Sequence, residues 1–120
     1  MPDNRYVGPE YGTFPYPAVA MGKTGKPEIL TVDAAVSVLT EPTNFAIADA
    51  SDQAFTLADG DEAQRKFLYM SAKGSTGNAV VTPANLTGGT TITFDTVGDY
   101  AELRFMGGSW VATAVTATVA

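Results

Sequence analysis

The chain has 120 residues, with 13 Asp plus Glu against seven Lys plus Arg and neither cysteine nor histidine. A chain of this length fits one domain, which can bury a core without disulfides. The missing Cys and His exclude thiolate chemistry, His-based triads and the commonest zinc sites. At a formal net charge of −6 most of the surface would repel a phosphate backbone, so we expect no nucleic-acid partner.

Residues 1–27 are predicted to form an extended arm. Five prolines and four glycines sustain neither a helix nor a central strand in this segment. Four aromatic rings prefer burial, so the arm could fold back on its own domain or dock on a neighbouring subunit. The opening residues form no apolar signal segment, and no later apolar run approaches the ~20 residues of a membrane span. We therefore expect synthesis in the cytosol and no membrane partner.

Residues 28–120 are predicted to form an all-β domain, a small antiparallel sandwich or barrel of about seven strands. Apolar residues recur with period two, and Gly, Asn and Asp turns separate the runs. "TEPTN" (40–44) is predicted to close the first strand, and "ADGDE" (58–62) to be a solvated hairpin turn. The predicted strands are 29–39, 54–58, 65–72, 78–83, 90–94, 100–106 and 109–119.

The most strongly patterned stretch is "YAELRFMGGSW", residues 100–110. Alternation places Ala101, Leu103 and Phe105 on one apolar face of a strand and polar residues on the other. The pair Gly107–Gly108 predicts a two-residue hairpin turn, because the favoured turns need positive φ at both positions. Trp110, the only tryptophan, is most simply a core or rim anchor. A ligand-stacking role is the alternative.

Three motifs are weaker than they look. "GKT" at 22–24 resembles the end of a Walker A loop, but the glycine required at position 17 is a proline. "NLT" at 85–87 matches a glycosylation sequon, yet "ANLTGG" is more simply a turn. A cluster of carboxylates could offer oxygen ligands to calcium, but it lacks EF-hand spacing. The same carboxylates could serve as an acid and base pair, but no second motif supports such chemistry. The cluster consists of Asp49, Asp52, Asp59, Asp61 and Glu62. We expect no catalytic residue, no metal and no cofactor.

Two stretches carry a resemblance to a known family. "FTLADG" (55–60) and "NAVVTPANLTGGTTITFDTVGDYAELRFMGGSWV" (78–111) resemble a β-rich module of tailed-bacteriophage virion proteins. Within that set they are most similar to small capsid decoration, or cement, proteins. The recognisable pieces are "VTPANL", "GGTTITFD", "VGD" and the spaced residues Leu103, Phe105, Gly108, Trp110 and Val111.

The resemblance implies a structural protein on the outer surface of a capsid. Such a protein would stabilise the shell as a homotrimer that bridges subunits of the major capsid protein, without enzyme activity or a small-molecule substrate. We expect the arm to reach over the shell, where aromatic anchors bury area at low entropic cost and basic residues meet acidic shell residues. The arm residues assigned to this contact are Arg5, Tyr6, Tyr11, Phe14, Tyr16, Lys23 and Lys26.

Similar modules occur in phage tail and fibre proteins, which keeps a second hypothesis open. In it the domain is a tail or fibre component, and one version binds host glycans. Trp110, Tyr100 or Tyr69 would form the stacking platform, beside carboxylates such as Asp99 or Glu102.

Overall fold

The computed structural model describes residues 26–40 and 42–120. These residues form ten β-strands and no helix, which confirms the all-β class. The strands are β1 (Glu28–Leu30), β2 (Ala34–Val36), β3 (Pro42–Ile47), β4 (Gln53–Leu57), β5 (Arg65–Lys73), β6 (Ala79–Pro83), β7 (Ile92–Phe94), β8 (Tyr100–Met106), β9 (Ser109–Val115) and β10 (Thr118–Val119).

The strands form two mixed sheets of five strands each. Sheet 1 has the order β9-β8-β5-β3-β1, and sheet 2 has the order β10-β7-β6-β4-β2. From β1 to β6 the chain alternates between the sheets, so each strand pairs in parallel with the next but one. This part of the chain therefore forms three stacked coils, made of β1 and β2, of β3 and β4, and of β5 and β6. The last four strands add antiparallel pairs.

Several strand predictions were wrong in this arrangement. The sheets are mixed rather than antiparallel, and ten strands replace the expected seven. Predicted strand 29–39 is two short strands in different sheets, and predicted strand 109–119 divides in the same way. "TEPTN" does not close a strand, since β3 begins at Pro42. "ADGDE" is not a hairpin turn, because it carries the chain from β4 in sheet 2 to β5 in sheet 1.

The break in predicted strand 29–39 occurs at Asp33, which is held by residues of the next coil. The Asp33 carboxylate accepts a hydrogen bond from the backbone N–H of Ala54 at 2.8 Å, and its own N–H donates to the Gln53 side chain at 3.1 Å. Both partners belong to the second coil. These bonds turn the chain at Asp33, so β2 starts in the opposite sheet.

The turns of the second and third coils also stack on each other. Thr76 donates its hydroxyl to the Ala50 carbonyl at 2.8 Å, and the N–H of Asn78 donates to the Asp52 carboxylate at 2.9 Å; both pairs are 26 residues apart. At Gly74 a Cβ would lie 2.2 Å from the carbonyl oxygen of Ala48. Only glycine allows the two backbones to approach this closely.

The core lies between the two sheets and contains one aromatic cluster at its centre. Phe45 of sheet 1 packs against Phe55 and Phe94 of sheet 2, with ring centroids 4.6 and 5.2 Å apart. Burial alternates along β4 and β8 as the period-two pattern predicted, and it alternates also along β3, which was not predicted as a strand. The other large buried apolar side chains are Ile47, Leu57, Leu68, Met70, Val81, Ile92, Leu103, Phe105 and Trp110.

A polar network runs through one end of this core and joins sheet 1 across three strands. Lys66 of β5 is 1% exposed, and its ammonium donates to the Thr43 hydroxyl and, at 2.5 Å, to the Thr40 carbonyl. Thr43 of β3 in turn donates to the Glu28 carboxylate at 2.8 Å, which also accepts the N–H of Ser37 at 3.0 Å. Glu28 therefore ties β1 to the residue that follows β2.

Replacing Lys66 with Ala should lower the free energy of unfolding by about 2–4 kcal/mol, because the Thr40 carbonyl and the Thr43 hydroxyl lose a charged hydrogen-bond donor. Urea unfolding followed by circular dichroism measures the change. Lys73→Ala is the matched control: Lys73 donates to the Asp95 carbonyl at an exposed position, so its loss should cost under about 1 kcal/mol. Equal losses in the two variants would contradict a structural role for the Lys66 network.

Candidate functional site

Several of the motif residues behind the family resemblance, Asn85 and Phe105 among them, lie at one corner of the domain around Trp110. The Trp110 ring is fully buried and packs edge-on against Phe105, with centroids 5.2 Å apart. Its indole N–H donates to the Ala58 carbonyl at 2.9 Å, and its backbone N–H donates to the Asn85 carbonyl at 3.0 Å. Trp110 is therefore a core anchor, and the ligand-stacking role considered for it is wrong.

The same corner uses the predicted hairpin and two of the acidic residues. Gly107 and Gly108 have φ of 65° and 86° and join β8 to β9, which confirms the turn. The Glu62 carboxylate accepts the N–H of Gly107 at 3.2 Å. Asp59 accepts both of its hydrogen bonds from the Asn85 side chain, each at 3.0 Å. The motif pieces thus join loops to one another, which is a folding role.

The carboxylates of Asp49 and Asp52 also accept hydrogen bonds within the domain. Asp49 accepts a hydrogen bond from the Gln53 side chain at 3.3 Å. Asp99, considered as a glycan contact, accepts the N–H groups of Asp95 and Thr96, both at 3.1 Å, and so caps the turn before β8. Within residues 26–40 and 42–120 no group of three or more Asp or Glu is placed to hold a metal ion.

A row of aromatic side chains crosses the outer face of sheet 1. Phe67 and Tyr69 of β5 have centroids 6.4 Å apart at an interplanar angle of 17°, and Phe67 lies 6.0 Å from Tyr100 of β8 at 23°. We call Phe67, Tyr69 and Tyr100 the aromatic row. Tyr69 is 38% exposed, so one edge of the row meets solvent. The sequence pattern placed Tyr100 outward, but only strand pairing brings Phe67 beside it.

A shallow groove of about 440 Å³ adjoins the aromatic row. Arg65 of β5 and Arg104 of β8 are direct cross-strand partners there, and Glu102, Met106 and Thr113 also line the groove. We call it the arginine groove. Of the residues named for the glycan-binding alternative, Glu102 lies in the groove, whereas Arg65 and Arg104 were not predicted as site residues. The pairing of Arg65 with Arg104 across the strands would have identified the groove. That pairing can be recognised only when the register of β5 and β8 is known.

The first coil concentrates apolar exposure. Leu39 is 92% exposed, and Ile29 and Val32 are each more than half exposed. The coil also supplies an edge strand to each sheet, β1 in sheet 1 and β2 in sheet 2. We call Ile29, Val32 and Leu39 the first-coil patch. Exposed apolar residues beside strand edges that no described strand covers are typical of surfaces that contact another chain.

The predicted arm contacts lie almost entirely outside the described residues. Lys26 is described, and it is exposed two residues before β1. The other six, Arg5, Tyr6, Tyr11, Phe14, Tyr16 and Lys23, lie outside the described ranges.

Over the described part of the chain, the structure contains no helix that is long and apolar enough to cross a membrane. A scan against protein-family models matched none of them, and a search of curated proteins found no match to the chain.

The buried position of Trp110 makes its fluorescence a test of the corner. Acrylamide should quench the native protein weakly and the urea-unfolded protein strongly. Trp110→Phe should lower the free energy of unfolding by about 2 kcal/mol, since it loses both packing volume and the hydrogen bond to Ala58. Tyr69→Phe, on the outer face, should change it by under about 0.5 kcal/mol. Strong quenching of the native state would show that Trp110 is accessible.

Proposed function

We propose that this protein is a structural component of a tailed-bacteriophage virion. In this proposal it decorates the outer surface of the capsid and stabilises the shell by bridging subunits of the major capsid protein. The association of three copies into a homotrimer belongs to the same proposal. The first-coil patch is the single observation that carries it, because exposed Ile29, Val32 and Leu39 offer a contact surface where the chain enters the domain.

The arrangement of the resembling segments also supports the proposal. Residues 55–60 and 78–111 supply most of β4, all of β6 to β8 and the start of β9, and several of their residues contact Trp110. The likeness to decoration proteins therefore rests in part on residues that build one corner of the domain. A rigid body of this kind suits a protein whose free energy of binding comes from surface contact.

Stabilisation of the shell would follow from mass action. A protein that binds only the assembled shell stabilises it by RT ln(1 + [L]/Kd) for each site. A trimer that touches several subunits makes each further contact intramolecular, which raises the effective concentration. In this scheme Tyr6, Tyr11, Phe14 and Tyr16 anchor the arm on the shell, and Arg5, Lys23 and Lys26 pair with acidic shell residues.

One observation favours the tail or fibre alternative. The aromatic row presents Tyr69 at 38% exposure beside Tyr100, and aromatic faces on a sheet can stack against sugar rings. Trp110 and Asp99 no longer belong to this hypothesis, because one is buried and the other caps a turn. Location separates the two functions: cryo-electron microscopy of virions should find the domain on the capsid for the first and on the tail for the second.

Deletion of residues 1–20 tests the part assigned to the arm. The truncated protein should keep the unfolding free energy of the β domain but bind purified undecorated shells at least tenfold more weakly, because it loses four aromatic anchors. Sedimentation of shells with bound protein measures the affinity.

A matched variant keeps the arm at full length and removes only aromatic rings. Replacing Tyr6, Phe14 and Tyr16 with Ser in the full-length chain should reproduce most of the loss. Unchanged affinity in both variants would remove the arm from the proposal, and the first-coil patch would remain as the proposed contact. Loss of binding in Leu39→Ser with an intact arm would then identify that patch.

A further inference from the structure

We propose that residues 18–21, Ala-Val-Ala-Met, form a parallel strand on the open edge of β2 in the same molecule. We call residues 18–21 the added strand. The chain would pass from it through residues 22–27 into β1, so the stack of coils would begin one strand before β1. The inference goes beyond the proposed function, because it concerns how the isolated domain covers its own sheet edge. The free arm is then residues 1–17, which still contain all four aromatic anchors.

The edge of β2 is where such a strand can pair. β2 is the last described strand of sheet 2, with β4 as its parallel neighbour on one side and no described strand on the other. A strand edge of this kind presents backbone donors and acceptors to another extended segment. The nearest candidate is the chain just before β1, because β1 itself lies in the facing sheet.

The spacing along the chain matches the coils that the structure describes. The connectors from sheet 2 to sheet 1 comprise residues 37–41 after β2 and residues 58–64 after β4. A strand that ends at Met21 leaves residues 22–27, a connector of intermediate length that contains two glycines. Because the added strand would lie on the outer side of β2, its crossover through β1 has the same hand as the crossover from β2 through β3 to β4.

The register follows from the first described coil. β1 pairs with β3 at an interval of 15 residues along the chain. We expect the same interval for the added strand, since both intervals include β1 and the turn from β1 to β2. It places Val19 level with Ala34 and Met21 level with Val36. Ala34 and Val36 pack on the core side of sheet 2. Val19 and Met21 would therefore face the core, and the two alanines of the added strand would face outward.

The core at this end of the domain is incompletely covered by the described residues. The inward apolar residues of the first coil include Leu30, Ala34 and Val38, which are only partly buried. Those of the second coil are at most 1% exposed. Stacked coils need a terminal layer that covers the last apolar residues. The valine and methionine of the added strand would supply that layer on the side of sheet 2, and methionine adapts well to irregular gaps.

Prolines limit how far the added strand can extend. Pro15 and Pro17 lack the backbone N–H that a ladder needs, and proline is tolerated only at the start of a strand or on a sheet edge. The strand therefore starts at Ala18 and becomes the edge of sheet 2. The edge of β1 in sheet 1 stays open beside the exposed Ile29, so a contact surface for a shell remains.

Disulfide trapping tests this pairing, because the chain contains no cysteine. In the proposed register Ala20 is level with Ala35, which is exposed on the outer face of β2. Neighbouring strands lie about 4.8 Å apart, and this separation suits a disulfide. The variant Ala20→Cys with Ala35→Cys should therefore form an intramolecular disulfide in the full-length protein.

The matched control moves one cysteine by a single strand. Thr56 of β4 is the direct partner of Ala35 and is also exposed, but it would lie about 10 Å from Ala20. That distance exceeds the roughly 7 Å that a disulfide can bridge. At low protein concentration the Ala20–Ala35 pair should close at least tenfold faster than the Ala20–Thr56 pair, as measured by mass spectrometry after timed alkylation.

Substitutions on the two faces of the added strand test its orientation. Val19→Asp in the Ala20–Ala35 variant would bring a carboxylate against the core, so it should slow the disulfide at least tenfold. Ala18→Asp puts the same charge on the outer face and should slow it by less than about threefold. Thermal unfolding of the reduced proteins checks that the domain is intact in both variants.

A second truncation separates this inference from the proposed function. Deletion of residues 1–20 removes most of the added strand, but a short edge strand opens locally and adds little to the global unfolding free energy. Deletion of residues 1–16 removes the same aromatic anchors and keeps the strand. It should weaken shell binding as much as the longer deletion does and leave the rate of the Ala20–Ala35 disulfide unchanged.

Three results would overturn the inference. Equal rates for the pairs with Ala35 and Thr56 would show that the segment has no preferred position on sheet 2. A mainly intermolecular disulfide would show that it pairs with β2 of a second copy. Equal effects of Val19→Asp and Ala18→Asp would show that the segment has no inward face. None of these results depends on shell binding.

Discussion

Parallel pairing between successive coils is the constraint on which the rest of this domain depends. Neighbouring strands in the sequence lie in opposite sheets, so β3 finds its hydrogen-bond partners in β1 and β5. Each coil thus builds one layer of both sheets and one layer of the core. Phe45 and Phe55, which belong to the same coil, meet across the core for this reason.

Stacking of the coils constrains the conformation of the turns as well as the pairing of the strands. The turn after β5 lies directly on the turn after β3, which accounts for the hydrogen bonds between residues 26 apart and for the contact at Gly74. At the other end of the strands, Lys66, Thr43 and Glu28 join the three coils inside sheet 1. A buried ammonium requires satisfied partners, so this network also favours one register of β1, β3 and β5 over its neighbours.

The two ends of the stack of coils differ in whether other strands cover them. The third coil is covered by antiparallel strands: β8 and β9 extend sheet 1, and β7 and β10 extend sheet 2. Trp110 connects this cover to the loops that follow β4 and β6. The first coil has no such cover among the described strands, and its apolar side chains are exposed. Stacked repeats need a polar or covered terminal layer to stay soluble, which agrees with a contact function at this end.

The sequence by itself determined the strand character of the domain, the β8–β9 hairpin and the inward residues of β8. These features are local: period-two alternation and a pair of glycines with positive φ need no distant partner. The sequence could not determine that the strands of successive coils pair in parallel, because period-two alternation is the same in parallel and antiparallel strands. Nor could it show that Asp33 divides a predicted strand, since the cause is a bond to residues 53–54 of the next coil. The burial of Lys66 and the meeting of Arg65 with Arg104 depend on register across three strands. Only the tertiary structure decided these, because each arises from residues that are distant in the chain and adjacent in a sheet.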